Sequence, residues 1–405
     1  MSVKRAVLAV VVVVGLVLHA LQLADGWKKV ASADHARDFA SYHYAVHAAF
    51  EGEDPYDKAT LGELAREEGT RKSVHPYFYP PPFLVSMAWV RPLSLGTAYR
   101  AWYWLDSLFL LATLLALIRW RPGPASIATG ALLLASFTPL INNHVMGQAN
   151  LPVVALVAGG LLADRRGFAW LAGVLVGVAC MLKMSPGLLV AWWLFRRQWK
   201  PAAAACVTAL VLTLVSLPLV GLDGQARFYL DVLPGLGEGD YNGLTVEIGM
   251  FGNHSIPNFF AQLWPGGKTS LSTAARIGGG LTSLALVAGT FWWTRAPRDD
   301  LDHLAAAGAL VVLMLVIPVY TYEHHVVFAV IPWVAVACAI WEGRLHKAWL
   351  AALAPAYVVA AWQLSVWKAV ALEQGPALHW AMQEAKAFAL LVLGAACLAV
   401  FRGSR

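Results

Sequence analysis

The stretch Asp38-Phe39-Ala40-Ser41-Tyr42-His43-Tyr44 leads through Gly52-Glu53-Asp54-Pro55-Tyr56 to Tyr77-Phe78-Tyr79-Pro80-Pro81-Pro82. It combines acids, many aromatic rings and a proline run, and it lies between one clear apolar span and a long succession of others. Proline has no backbone N–H and a fixed φ, so the run cannot lie in a helix interior and gives a stiff, extended entry into the next apolar segment. The segment reads as the core of a first outer loop, residues 25–96, folded against the membrane surface and carrying a site.

Composition sets the class. Hydrophobic residues make up 59% of the 405 and charged residues 13%, against about 25% charge in an ordinary soluble domain. The chain is therefore a polytopic membrane protein. Its net charge of +6 does not point to nucleic acid, because many of the cations sit at the termini or in short connectors between apolar runs, where they set topology. Cys180, Cys206, Cys338 and Cys397 are isolated inside apolar runs, which reads as packing rather than metal or disulfide chemistry. No Walker loop, dinucleotide fingerprint or zinc motif is present, so neither a nucleotide, a metal nor another cofactor is expected.

Lys4 and Arg5 precede a Val-rich run to Leu23, close to the ~20 residues a span needs and read as an uncleaved first helix. Further apolar segments follow at 97–118, 124–141, 149–163, 168–183, 186–196, 201–219, 272–294, 303–319, 324–341, 347–364 and 385–401. The expectation is an all-α bundle of about 12 membrane helices, forming a single integral membrane domain over 1–405. If 82–95 does not cross, the cations Arg119/Arg121, Arg165/Arg166, Arg196/Arg197/Lys200, Arg295/Arg298, Arg344/Lys347 and Arg402/Arg405 all fall on one side. The positive-inside rule makes that side cytoplasmic, with both termini there. The other side then gathers 25–96, 142–150, 183–186, a late outer loop 220–271, 320–325 and 365–384. Irregular backbone cannot face lipid, so these segments must pack together or sit in water.

Several polar groups on that side are candidates for chemistry. Asp38 can serve as a general base or hold a hydroxyl; the plainer reading is a helix cap. Tyr42 and Tyr79 offer aromatic substrate contacts in the same stretch. Asn143, Gln148 and Asn150 crowd amides into one turn, and an amide both donates to and accepts from hydroxyls, although helix-end capping uses the same residues. Lys183 sits at the outer end of an apolar run, where a cation is costly unless it snorkels or has a function such as binding phosphate. Asn253 and His254 form a weaker loop motif with Ser255, which also fits a glycosylation acceptor. Glu323-His324-His325 opens a late apolar helix. Adjacent histidines point to different faces and would not chelate one metal as an i,i+4 pair does. One is expected to face the site, as base or phosphate ligand, and the other to pack.

The order Asp-aromatic, Gly-x-x-Pro-Tyr, Tyr-Pro-Pro, Gly-Gln-x-Asn, Lys-x-x-Pro, Asn-x-Ser and His-His resembles glycosyltransferase family 87 across roughly residues 38–332. The resemblance implies a GT-C-type bundle with juxtamembrane helices on the outer face. It implies a sugar donor, mannose by resemblance, carried on polyprenyl phosphate, and a catalytic role for Asp38 and for His324 or His325. The acceptor would be a lipid or glycan, reached on the extracytoplasmic side of the plasma membrane. His254 and Tyr322 replace the Gln and Trp more usual in the family, which leaves the acceptor open. The alternative is a transporter or flippase, which predicts inverted repeats and broken helices near the midplane. Polar motifs concentrated on one side favour chemistry at a surface.

Overall fold

The computed structural model describes residues 3–32, 37–70, 73–244 and 246–401; the tail cations Arg402 and Arg405 lie outside them. The N-terminal part comprises α1 (Val3–Ala31), α2 (Arg37–Glu51), α3 (Lys58–Glu67), α4 (Pro81–Ser86), α5 (Leu95–Trp120), α6 (Pro124–Ser136) and α7 (Thr138–Met146). The middle adds α8 (Asn150–Arg165), α9 (Ala169–Leu182), α10 (Gly187–Phe195), α11 (Trp199–Ala226), α12 (Leu233–Glu238) and α13 (Ile256–Leu263). The last part comprises α14 (Thr273–Trp293), α15 (Asp300–Val316), α16 (Val330–Trp341), α17 (Leu350–Ala361), α18 (Leu364–Leu372) and α19 (Pro376–Ala399). Among the described residues there is no strand, only two isolated bridges, Tyr241 with Leu244 and Gly267 with Ser270.

Among the described residues, six helices, counting runs that join neighbouring elements, are long and apolar enough to cross a membrane. They are α1, α5, the run 199–238, α14, the run 323–341 and α19. Two bent pairs raise the number to eight: α6 with α7 at 58°, and 347–361 with α18 at 97°. The expected number of about 12 is therefore not reached on length and composition. Segment 124–141 breaks at Phe137, and the segment ending at 364 turns at Trp362 and Gln363. α8, α9 and α15 hold only 16, 14 and 17 residues, or about 21–26 Å of helix each. The late outer loop 220–271 is also more helical than expected. It contains the end of α11, a π-helical turn Arg227–Val232, α12 and α13.

The first outer loop folds into α2, α3 and α4. Asp57 caps α3 by accepting from the backbone of Ala59 and Thr60, and Ser94 caps α5. Of the proline run, only Pro80 is extended, at φ −57° and ψ 149°; Pro81 and Pro82 open α4, where a missing N–H costs nothing. α4 has six residues, about 9 Å, and cannot cross a bilayer.

The connectors expected to carry topology-setting cations all meet at one end of the bundle. Arg166 donates to the Arg119 carbonyl at 3.1 Å and Arg196 to the Arg295 carbonyl at 3.1 Å. Arg344 reaches Asp299 at 2.6 Å and Asp302 at 2.8 Å, and Arg298 also binds Asp302 at 2.8 Å. Arg121 pairs with Glu342 and Arg165 with Asp300. Close helix packing underlies the arrangement. A Cβ at Gly173 or Gly177 of α9 would strike α11 backbone at Pro201 and Ala205, the small-residue approach common between membrane helices.

Candidate active site

Away from the cation-rich end, the loops converge on a cavity of about 1200 Å³. Its polar wall includes Asp38, His75, Gln148, Lys183, His324 and His325. Its apolar wall includes Leu233 and Leu236 of α12, Leu271, Ile317 and the bare backbone of Gly279 and Gly280 on α14.

Asp38 lies in the first turn of α2, where the helix dipole favours a carboxylate. Its Oδ1 accepts from His75 Nδ1 at 2.7 Å. A tyrosine relay orients the group on its other side. Tyr42 donates to the Tyr79 hydroxyl at 2.8 Å, and Tyr79 donates to Gln148 Oε1 at 3.1 Å. With its oxygen so engaged, Gln148 turns its amide N–H toward Asp38. Burial works to raise the Asp38 carboxyl. The His75 hydrogen bond, the positive fields of His324 and His75 and the Gln148 hydrogen bond outweigh it, holding the group below the usual carboxylate range. Burial, followed by the field of Tyr79 and Asp38, pushes the Tyr42 phenol well above its ordinary range, so it stays neutral.

The turn that carries Gln148 depends on Gly147. Its φ of 66° is left-handed, and a Cβ there would meet the Phe39 side chain, so only glycine suits both demands. Beside it Asn143 Nδ2 donates to Asp106 Oδ2 at 3.0 Å and to the Gln148 carbonyl at 3.2 Å. Asn150 Nδ2 donates to Asn143 Oδ1 at 3.0 Å and to the His324 carbonyl at 3.0 Å. Lys183 Nζ donates to Asn150 Oδ1 at 2.6 Å.

The histidine motif occupies a 3-10 turn, Glu323–Ala329, that leads into α16. His325 Nδ1 accepts from the Tyr322 backbone at 3.0 Å and caps the turn. Contrary to the expectation that one histidine would face the site and the other pack, both line the cavity. Glu323 is held from α19: Lys386 Nζ reaches both its oxygens at 2.7 Å and also the Trp362 carbonyl at 2.7 Å. His254 Nε2 approaches Glu323 Oε2 at 3.6 Å. Asn253 clamps two segments, donating to the Ile248 and Val319 carbonyls at 2.9 Å and accepting from Thr321.

Of the residues singled out in the sequence, Asp38, Tyr79, Gln148, Lys183, Glu323, His324 and His325 line one cavity. Tyr42, Asn143, Asn150, Asn253 and His254 do not; they are buried behind its wall. His75, Asp106 and Lys386 escape a reading of the sequence, as does the ring of Tyr241, which lines the cavity together with Phe78, Tyr320 and Tyr322. One signal points to His75: it immediately precedes Pro76 inside the organising stretch. Among the described residues no three His, Cys, Asp or Glu side chains form a ligand set for a metal.

A model of glycosyltransferase family 87 matches residues 77–319. The match takes in Tyr79, Asn143, Gln148, Asn150, Lys183, Asn253 and His254, and it leaves Asp38 and the histidine pair outside its limits. Over 200 residues the chain is 30% identical to a polyprenol-phosphate-mannose-dependent alpha-(1-2)-phosphatidylinositol pentamannoside mannosyltransferase of Mycolicibacterium smegmatis; this covers 47% of the chain and 43% of that protein. A polyprenol-phosphate-mannose-dependent alpha-(1-2)-phosphatidylinositol mannoside mannosyltransferase of the same organism is 24% identical over 373 residues, 86% of this chain and 78% of its own length. An alpha-(1->3)-arabinofuranosyltransferase of Mycobacterium tuberculosis is 30% identical over 172 residues, 41% of this chain and 39% of its own. The chain thus spans less than half the length of the first and third of these relatives. A multi-pass helical bundle with a cavity at the end away from its cation cluster carries a family match over more than half of its residues: the chain belongs to glycosyltransferase family 87.

Proposed function

We propose that the protein transfers a hexose, mannose by analogy with its relatives, from a polyprenyl monophosphate to a lipid or glycan acceptor on the extracytoplasmic face. The observation that carries this reading is one cavity in which Asp38, paired to His75, shares a wall with His324 and Lys183, while Leu233, Leu236, Leu271 and Ile317 give much of the remaining lining an apolar character. The acceptor hydroxyl attacks the anomeric carbon as the bond from that carbon to the phosphate oxygen breaks. Asp38 takes the hydroxyl proton, and His75 and Gln148 hold its carboxylate in position. The electron pair leaves with the phosphate, whose growing charge Lys183 meets from the wall. Direct displacement inverts the anomeric centre, through an oxocarbenium-like transition state. The wall of Leu233, Leu236, Gly279 and Gly280 suits an isoprenoid chain.

The test is incubation of the purified protein with synthetic β-linked polyprenyl-phosphate-mannose and phosphatidylinositol mannosides, with products read by mass spectrometry and anomeric configuration by NMR. An α-mannosylated lipid is expected. Transfer from an arabinose donor alone would overturn the hexose assignment, and a β product would overturn direct displacement.

A further inference from the structure

Asp106 is fully buried in the middle of α5. One carboxylate oxygen has a single amide donor, and the other has no hydrogen-bond partner in the structure. A buried carboxyl group with so few partners is costly whatever its ionisation, so fold stability does not account for it. What it touches leads to the active site. Asn143 gives its amide hydrogens to Asp106 Oδ2 and the Gln148 carbonyl, which leaves Asn143 Oδ1 to accept from Asn150. Asn150 gives its own to Asn143 and the His324 carbonyl, which leaves Asn150 Oδ1 to accept from Lys183. Each amide is thereby fixed in one orientation. The hydrogen bonds run one way, Lys183 to Asn150 to Asn143 to Asp106, with an amine at the cavity end and an accepting carboxyl oxygen at the buried end.

We infer that Asp106 is a positioning residue for Lys183, acting through the two-asparagine ladder to fix the ammonium where a substrate phosphate binds. The inference rests on the reading of Lys183 as the phosphate contact. Without an acceptor at residue 106 the Asn143 amide loses one of the two acceptors that set its orientation, and the ladder that ends on Lys183 loosens at its buried end. The ladder also holds the Gln148 and His324 carbonyls, so its register is shared by the groups around Asp38.

Binding of a short-chain polyprenyl monophosphate to the purified full-length protein in detergent, measured by isothermal titration, tests this. Lys183→Met is expected to weaken binding by about tenfold or more, as for loss of a charge-assisted hydrogen bond. Asp106→Leu should show a loss of similar size, about tenfold. Asp106→Asn, which keeps an acceptor oxygen, should recover most of it. Asp106→Leu should cost nothing further in the Lys183→Met background, the signature of one coupled unit. If Asp106→Leu does not fold, Asn143→Ala breaks the same ladder nearer to Lys183 and carries the same expectations. Wild-type affinity in the ladder variant, equal losses in the Leu and Asn variants, or losses that multiply with Lys183→Met would overturn the inference while leaving Lys183 as the phosphate contact. Wild-type affinity in Lys183→Met would overturn that contact itself, and the inference with it.

Discussion

His75 Nδ1 and Asp38 Oδ1 meet at 2.7 Å across a sequence separation of 37 residues. The pairing places an imidazole behind the carboxylate assigned to proton abstraction. Asp38→Asn keeps the size and removes the charge, so turnover should fall by about 10²–10⁴-fold. The pH profile should report the pairing. A base works in its ionised form, and the folded-state pKa of Asp38 is depressed, so its acid limb should lie below the usual carboxylate range. His75→Gln removes the ring that hydrogen-bonds the carboxylate and should move that limb toward neutral pH. An acid limb that stays in place in His75→Gln would separate His75 from the state of Asp38.

His324 and His325 should divide their work by kind of effect. His324 lines the cavity with Asp38, and His324→Ala should reduce turnover, by about 10²-fold or more if the ring takes part in proton transfer. His325 accepts the Tyr322 N–H, and His325→Ala should cost roughly 0.5–2 kcal/mol of stability, as for loss of a cap. His325→Asn, with an acceptor retained, should recover part of it. Thermal unfolding beside steady-state rates separates the two outcomes, and equal rate losses without any stability change would contradict the division.

Lys386 and Glu323 form an ion pair whose side chains are 1% and 4% exposed. Lys386→Met leaves a buried carboxylate unpaired and should destabilise the protein by about 3–5 kcal/mol. Adding Glu323→Gln removes the stranded charge and should restore much of the loss. Denaturation in detergent checks this; a double variant as unstable as the single one would mean the pair is not what fixes the turn.

The meeting of Arg119, Arg121, Arg165, Arg196, Arg295 and Arg344 connectors at one end predicts a cytoplasmic address for them. A cysteine replacing Gly123, in a background with Cys206→Ala, should resist a membrane-impermeant thiol reagent in intact cells. A cysteine replacing Glu53 should react. Labelling of Gly123→Cys from outside would invert the topology.

The sequence is most legible where chemistry and position coincide. Asp38, Lys183 and the His324-His325 pair stand out as polar groups at the ends of apolar runs, and all of them line the cavity. Asn143 and Asn150 are readable as an amide cluster, but their direction is not, because only tertiary contacts show that Asp106, the Gln148 and His324 carbonyls and Lys183 consume their hydrogen-bonding groups. Lys386 is hidden for a related reason. The segment 385–401 reads as hydrophobic, and nothing local shows that its one early cation reaches Glu323. The expected span number is not confirmed because hydropathy does not register helix length: α8, α9, α10 and α15 hold 16, 14, 9 and 17 residues, and the backbone turns by 58° between α6 and α7 within 124–141.

The attachment of Glu323 to α19 also bears on how the site is made. Glu323 leaves the ribosome 63 residues ahead of Lys386. At 5–20 residues per second that is a wait of roughly 3–13 s. During it the turn bearing His324 and His325 has only His254 near its carboxylate and lacks the lysine, so that the charge must stay in water or be neutralised. Nascent chains halted before Lys386 therefore carry every residue named for catalysis and still lack the cation that holds Glu323 in place.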